Sequence, residues 1–125
     1  MISVNKFVRY PARRLLIKYI EEGIFNTNIG NLFTIFGQVK RVKVIGKIVK
    51  RKNFFNDVSN KGVNYQLSDG TGKVRALLYS ENDTLKEGDI VNCIGIIKKV
   101  DENKYISIEI IKKLKNPELH KRYHQ

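Results

Sequence analysis

From residue 41 to residue 114 the chain keeps a period of two, and that period limits what it can become. Arg41-Val42-Lys43-Val44-Ile45 alternates cation with aliphatic residue, and Val63-Asn64-Tyr65-Gln66-Leu67 alternates again. Val74, Ala76 and Leu78 then alternate with Arg75, Leu77 and Tyr79. Such alternation sends one set of side chains to each face of a strand. Two apolar runs follow, over residues 90–100 and 105–114. Asp69-Gly70-Thr71-Gly72 and Asp101-Glu102-Asn103-Lys104 supply turn signals between neighbouring runs. Gly46 and Gly95 fall inside the first and fourth runs, where a glycine marks a bulge or a tight bend. Residues 52–62 read as a polar loop carrying Phe54 and Phe55, and residues 80–87 as an acidic connector closed by Gly88.

No helical crossover separates these strands, which argues against a parallel α/β sheet. Five principal strands with glycine bends are what closing a small barrel requires. The expected fold is therefore all-β: a five-stranded OB-fold Greek-key barrel, with an SH3-like barrel second because it needs less chain. Ahead of the barrel, residues 11–23 read as a short helix. Pro11 fits its first turn, Leu15, Leu16, Tyr19 and Ile20 recur at helical spacing, and Gly23 can end it. Leu32, Phe33, Ile35 and Phe36 suggest a lead-in strand broken at Gly37. The expected organisation is a lead-in over 1–31, the barrel over 32–114, and a short C-terminal helical segment over 115–125.

Twenty-four Lys and Arg against 12 Asp and Glu leave a net charge of +12 over 125 residues, and 42% of residues are hydrophobic. That composition fits one folded domain and excludes a disordered tail or a large multidomain enzyme. A single cysteine, Cys93, cannot form an internal disulfide, no apolar run approaches the roughly 20 residues that cross a bilayer, and the start lacks a signal-peptide core. An intracellular chain is expected, cytoplasmic or nucleoid if archaeal and nuclear if eukaryotic, with no membrane partner.

The excess positive charge suits a polyanion, and it is sided. Residues 40–61 hold eight cations (Lys40, Arg41, Lys43, Lys47, Lys50, Arg51, Lys52, Lys61) against Asp57, whereas residues 81–89 are predominantly acidic. A binder of single-stranded nucleic acid needs cations along the phosphates and flat side chains under the bases. If Val42, Val44 and Ile48 are core, then Arg41, Lys43 and Lys47 face outward. With Val74, Ala76 and Leu78 inside, Arg75 and Tyr79 face outward too. Lys50, Arg51, Lys52 and Lys61 frame the first loop, and Lys98, Lys99 and Lys104 the last hairpin; in an OB-fold these two loops flank the ligand groove. Phe54 and Phe55, adjacent on a loop, cannot both enter one core. Tyr105 is either a further stacking ring or a packed hairpin tyrosine.

Phe33-Thr34-Ile35 with Gly37, then Val42-Lys43-Val44-Ile45-Gly46-Lys47-Ile48-Val49, resemble the entry to the OB-fold in the middle subunit of replication protein A, in a compact archaeal-type form. The resemblance continues through Tyr65-Gln66-Leu67-Ser68-Asp69-Gly70-Thr71-Gly72, Val74-Arg75-Ala76-Leu77-Leu78-Tyr79 and Gly88-Asp89-Ile90-Val91. It implies a single-stranded-DNA-binding subunit acting in DNA replication, repair and recombination, with Tyr79 at a base-stacking position. The family's second stacking position falls on Val100, a departure for which Tyr105 is the candidate substitute. The resemblance also implies assembly with sister subunits through a C-terminal helix, here Pro117, Leu119 and Tyr123. An RNA- or tRNA-binding OB module and an assembly scaffold with little direct DNA contact are the alternatives.

Other chemistries find no footing in the sequence. Cys93 sits in an apolar run and His120 and His124 in the tail, so no metal-ligand or nucleophile–base set is apparent. Gly70 and Gly72 are followed by a strand, so they do not form a phosphate loop. No catalytic activity and no cofactor are expected. Binding is expected to favour dT over U, with little sequence specificity.

Overall fold

A computed structural model of the chain describes residues 11–55, 61–80 and 84–115. Ahead of the barrel come β1 (Arg13–Arg14), α1 (Ile17–Glu22), β2 (Ile24–Asn26), β3 (Asn31–Thr34) and β4 (Gly37–Val39). The barrel itself is β5 (Arg41–Phe55), β6 (Lys61–Ser68), β7 (Lys73–Leu78), β8 (Ile90–Val100) and β9 (Asn103–Lys113). Around the barrel the order is β5, β6, β7, β9, β8 and back to β5. Every barrel pairing is antiparallel except β7 with β9, which run parallel.

Closure depends on β5, which is shared between two halves of the sheet. Residues 41–47 pair with β8 and residues 47–55 with β6, so the strand changes partner at Lys47. Gly46 sits at that changeover, where a Cβ would lie 3.1 Å from the Ser68 carbonyl oxygen. The register shift itself comes just after, between Ile48 and Lys50 rather than at Gly46. On β8 the expected break is where the sequence suggests: register shifts between Ile94 and Gly95. A Cβ on Gly95 would collide with the Ser107 carbonyl oxygen, so the two backbones approach only because no side chain intervenes. Both devices add the coiling that turns a flat ribbon into a barrel.

Val42, Val44, Ile48, Val74 and Ala76 are buried as expected, while Leu78 is only partly buried against them; Val63, Leu67, Val91 and Ile97 complete the core. Tyr65 joins them, its hydroxyl next to the Arg51 guanidinium. Cys93 is also in this core, and burial pushes its thiol up to about 12.

Three expectations need correction. The polar loop over 52–62 is mostly sheet, since β5 continues to Phe55 and β6 begins at Lys61. The lead-in strand ends at Thr34; Ile35 and Phe36 lie in the turn to β4, and β2, β3 and β4 form a small antiparallel sheet. The helix spans only six residues. Arg13 and Arg14 instead pair in parallel with Val42 and Lys43, because β5 has a free edge there to satisfy their backbone.

A six-residue helix is not stable alone in water, and the barrel holds this one at both ends. At its start the Ile17 N–H donates to Asp69 Oδ2 at 2.9 Å and the Lys18 N–H to Thr71 Oγ1 at 3.1 Å. The Asp69–Gly72 turn thus acts as a remote N-cap, and Asp69 Oδ1 accepts from the Thr71 N–H at 2.9 Å. At its end Lys104 Nζ donates to the Glu21 and Gly23 carbonyls at 2.7 and 2.5 Å. Ile17 and Ile20 then point into the core. The C-terminal segment carrying Pro117, Leu119 and Tyr123 lies outside the described residues.

Candidate nucleic-acid interface

The strand register composes a surface that no single strand contains. Lys50 lies opposite Gln66, Gln66 opposite Arg75, Arg75 opposite Tyr105, and Tyr105 opposite Lys98. Directly opposed residues share a face, so these five form one row across all five barrel strands. A second row joins Lys52, Asn64, Leu77 and Ser107. A third, flanking row holds Lys47, Ser68 and Lys73. Beyond the second row Phe54 meets Tyr79 edge to face, ring centroids 5.9 Å apart.

This face is cationic without compensation. Among the described residues, no ion pair or hydrogen bond engages the side chains of Lys47, Lys50, Lys52, Lys73, Arg75 or Lys98. It also offers rings to a ligand, since Tyr79 is 56% exposed. A cavity of about 310 Å³ opens beside that ring, lined further by Arg75, Leu77, Val100, Asp101, Asn103 and Tyr105. Tyr105 stands where Val100 offers no ring. Burial, and then the neighbouring Tyr79 hydroxyl, push the Tyr105 phenol above its ordinary value. A second hollow of about 370 Å³ continues past Arg75 toward Glu21 and Lys104.

The structure brings only part of the expected set to this face. Lys47, Lys50, Phe54, Arg75, Tyr79, Lys98 and Tyr105 are there; Lys43, Arg51, Phe55, Lys99 and Lys104 are not. Arg41 opposes Ile96, which opposes Ser107, so it stands at the end of the second row, but Glu109 holds it, Nε to Oε1 2.6 Å. Lys43 opposes Ile94 on the part of β5 that pairs with β8. Arg51 follows the register shift and is turned inward beside Tyr65, where it helps line a separate hollow with Leu85 and Glu87. Phe55 alternates away from Phe54 and lies under Lys61, 5.9 Å from Nζ to centroid. Lys99 pairs with Glu102 at 3.9 Å, and Lys104 is taken up by the helix carbonyls. Desolvation, foremost, lowers the Lys104 pKa.

Absent from the expected set were Asn64, Gln66 and Lys73, with Ser68, Leu77 and Ser107 between them; Lys52 was expected only as a cation framing the first loop. Their signal was present, since Tyr65 and Leu67 as core residues send Asn64 and Gln66 outward. Among the described residues no cluster of metal-ligating side chains occurs, and no helix is long and apolar enough to cross a membrane.

The barrel order, with its one parallel closing pair, has counterparts among solved structures. The chain superimposes on one from the S. pombe Stn1–Ten1 complex with a TM-score of 0.79 at 13% identity, over 93% of this chain and 88% of that one. For a chain of a replication protein A heterotrimer bound to single-stranded DNA the TM-score is 0.74 at 14% identity, over 91% of each. This is an OB-fold protein. Yeast replication protein A bound to single-stranded DNA shares the fold at a TM-score of 0.64 and 20% identity, over 94% of this chain and 90% of that one. The neighbours of this OB-fold thus include chains of the assembly whose subunit its sequence resembles. An uncharacterized protein of Methanocaldococcus jannaschii is 33% identical over 108 residues, which span 85% of this chain and 42% of that protein. No family model matches the chain.

In OB-folds the outer face of the second and third barrel strands, with the loops after the first and fourth, takes oligonucleotides. Here those elements are β6 and β7, the β5–β6 connection and the Val100–Asn103 turn. Lys73 and Arg75 lie on β7 and Tyr79 directly after it, while Lys47, Lys50 and Lys52 on β5 and Lys98 on β8 flank that face.

Proposed function

We propose that this OB-fold binds single-stranded DNA through the β6–β7 face, as one subunit of a replication protein A-like complex serving DNA replication, repair and recombination. The observation that carries the reading is the row from Lys50 to Lys98, in which cations, an amide and a phenol cross all five barrel strands with no acid partner. Spaced cations follow a phosphate backbone, while Tyr79 and Tyr105 present ring faces that every base can stack on. The similar proteins include replication protein A assemblies bound to single-stranded DNA, which supports both the ligand and the complex. Leu119 and Tyr123, four residues apart after Pro117, are the proposed contact with sister subunits. The reading assigns the groove no bond-making chemistry and no cofactor.

The test is a fluorescence titration of labelled dT oligomers, rU oligomers and duplex DNA at two salt concentrations. We expect dT to bind most tightly and duplex weakly, with a log–log salt slope of about −0.7 for each phosphate engaged. Equal affinity for rU and dT would favour an RNA-binding module. Silence of Arg75→Glu and Tyr79→Ala, with loss of a complex in Leu119→Asp, would favour an assembly subunit.

A further inference from the structure

The cavity beside Tyr79 contains a group that a plain phosphate groove does not need. Asp101 lines it, in a left-handed conformation (φ 55°) within the two-residue turn between paired Val100 and Asn103. A carboxylate repels phosphate, yet no ion pair or hydrogen bond engages this side chain among the described residues. Arg75, in the same cavity, is likewise unengaged. The tight turn fixes where the Asp101 backbone sits, and the sheet fixes Arg75. The cavity is therefore lined by a residue with a fork of donors and a residue with a pair of acceptors, together with Leu77, Tyr79 and Tyr105.

We infer that this cavity receives one guanine base of the bound strand, so that a single nucleotide position is read while the remainder is held without regard to sequence. The inference rests on the proposed single-strand binding and names what one pocket of that site selects. Guanine carries two adjacent donors, N1–H and N2–H, on its Watson–Crick edge, matching the two oxygens of Asp101. Its O6 and N7 are the acceptors that an arginine fork engages in pairs. Thymine sets one N–H between two carbonyls, which a carboxylate opposes. Adenine and cytosine each place an amino group beside ring acceptors and lack the paired donors. Tyr79 and Tyr105 supply the flat and apolar surface that unpaired bases use in single-strand recognition.

The experiment walks a single dG through an otherwise dT oligomer and measures affinity at each position, with dA and dC walked in parallel. The expected result is one position at which dG binds about tenfold tighter than dT, the discrimination of one good bidentate contact, while dA and dC gain nothing there. Asp101→Gly, which suits the left-handed turn, erases that gain, and plain dT binds it more tightly because a negative charge near the phosphates is gone. Binding without any preferred position, or a dG preference that survives Asp101→Gly, overturns the pocket and leaves single-strand binding standing. Failure of the unaltered protein to hold any dT strand overturns both readings together. The base walk uses the unaltered protein, so the outcome does not depend on whether the variant folds.

Discussion

Two sides of the same barrel treat charge differently. On the β6–β7 side, Lys47, Lys50, Lys52, Lys73, Arg75 and Lys98 stand without acid partners among the described residues. On the side built from the start of β5, β8 and the end of β9, two cations are paired, Arg41 with Glu109 at 2.6 Å and Lys113 with Asp89 at 3.4 Å, while Lys43 and Lys112 have no acid partner among the described residues. Ile94 and Ile110 lie between those pairs, directly opposite one another. Unpaired like charges on one face raise the free energy of the folded chain through mutual repulsion, so their persistence fits a face meant for a polyanion. The two sides differ in degree: six cations stand unpartnered on the first, beside the exposed ring of Tyr79, whereas the second splits its cations between partnered and unpartnered.

The largest effect should come from reversing charge on the unpaired side. Lys50→Glu with Arg75→Glu is expected to weaken dT binding by roughly two orders of magnitude at moderate salt, whereas Arg41→Ala with Lys113→Ala should shift it by less than about twofold. Comparable losses from both pairs in the same titration would erase the distinction between the sides. Next comes Tyr79→Ala, expected to cost about 1–3 kcal/mol of binding as a lost stacking ring, with thermal stability little changed because that ring is 56% exposed. Lys104→Met should leave the salt slope of binding intact and lower stability by about 1 kcal/mol, since it frees two helix carbonyls; a changed slope would return Lys104 to the groove.

Two smaller effects concern the interior and the paired side. With its thiol pushed up to about 12 by burial, Cys93 should resist alkylation at mildly alkaline pH until the barrel unfolds. Rapid labelling of the native chain would show that the core is open there. Asp89 is held below the ordinary carboxylate range, first by the Lys86 N–H and further by Lys113. A lowered folded-state pKa adds stability that is present above the ordinary value and lost as the pH falls through the lowered one. Asp89→Asn should therefore flatten the acid limb of a stability–pH curve slightly and leave neutral-pH binding alone.

Much of this architecture was legible residue by residue. Alternation in Val74–Tyr79 correctly sends Arg75 and Tyr79 outward, because a strand's two faces follow from its period alone. Gly95 marked a real bulge, and β8 runs over the expected residues. Elsewhere distant partners overrode local signals. Residues 11–16 carry a helical pattern, but Arg13 and Arg14 among them pair with the free edge of β5, and the helix that remains is capped by Asp69 and Thr71. The polar composition of 52–55 suggested a loop, yet β6 offers those residues a ladder.

The sequence by itself determined the barrel class, the buried set and the sign of the charge, because side-chain period, turn chemistry and ionisation are local properties. Only the tertiary structure decided which cations remain available. One extra residue between Ile48 and Lys50 turns Arg51 toward Tyr65 while Lys50 and Lys52 stay on the face. The end of α1, brought near β9, takes up Lys104 with its Glu21 and Gly23 carbonyls. Strand order sets Arg75 beside Tyr105, 30 positions along the chain. Each outcome depends on which strands lie side by side, and pairing between distant segments is not written in the local pattern of either one.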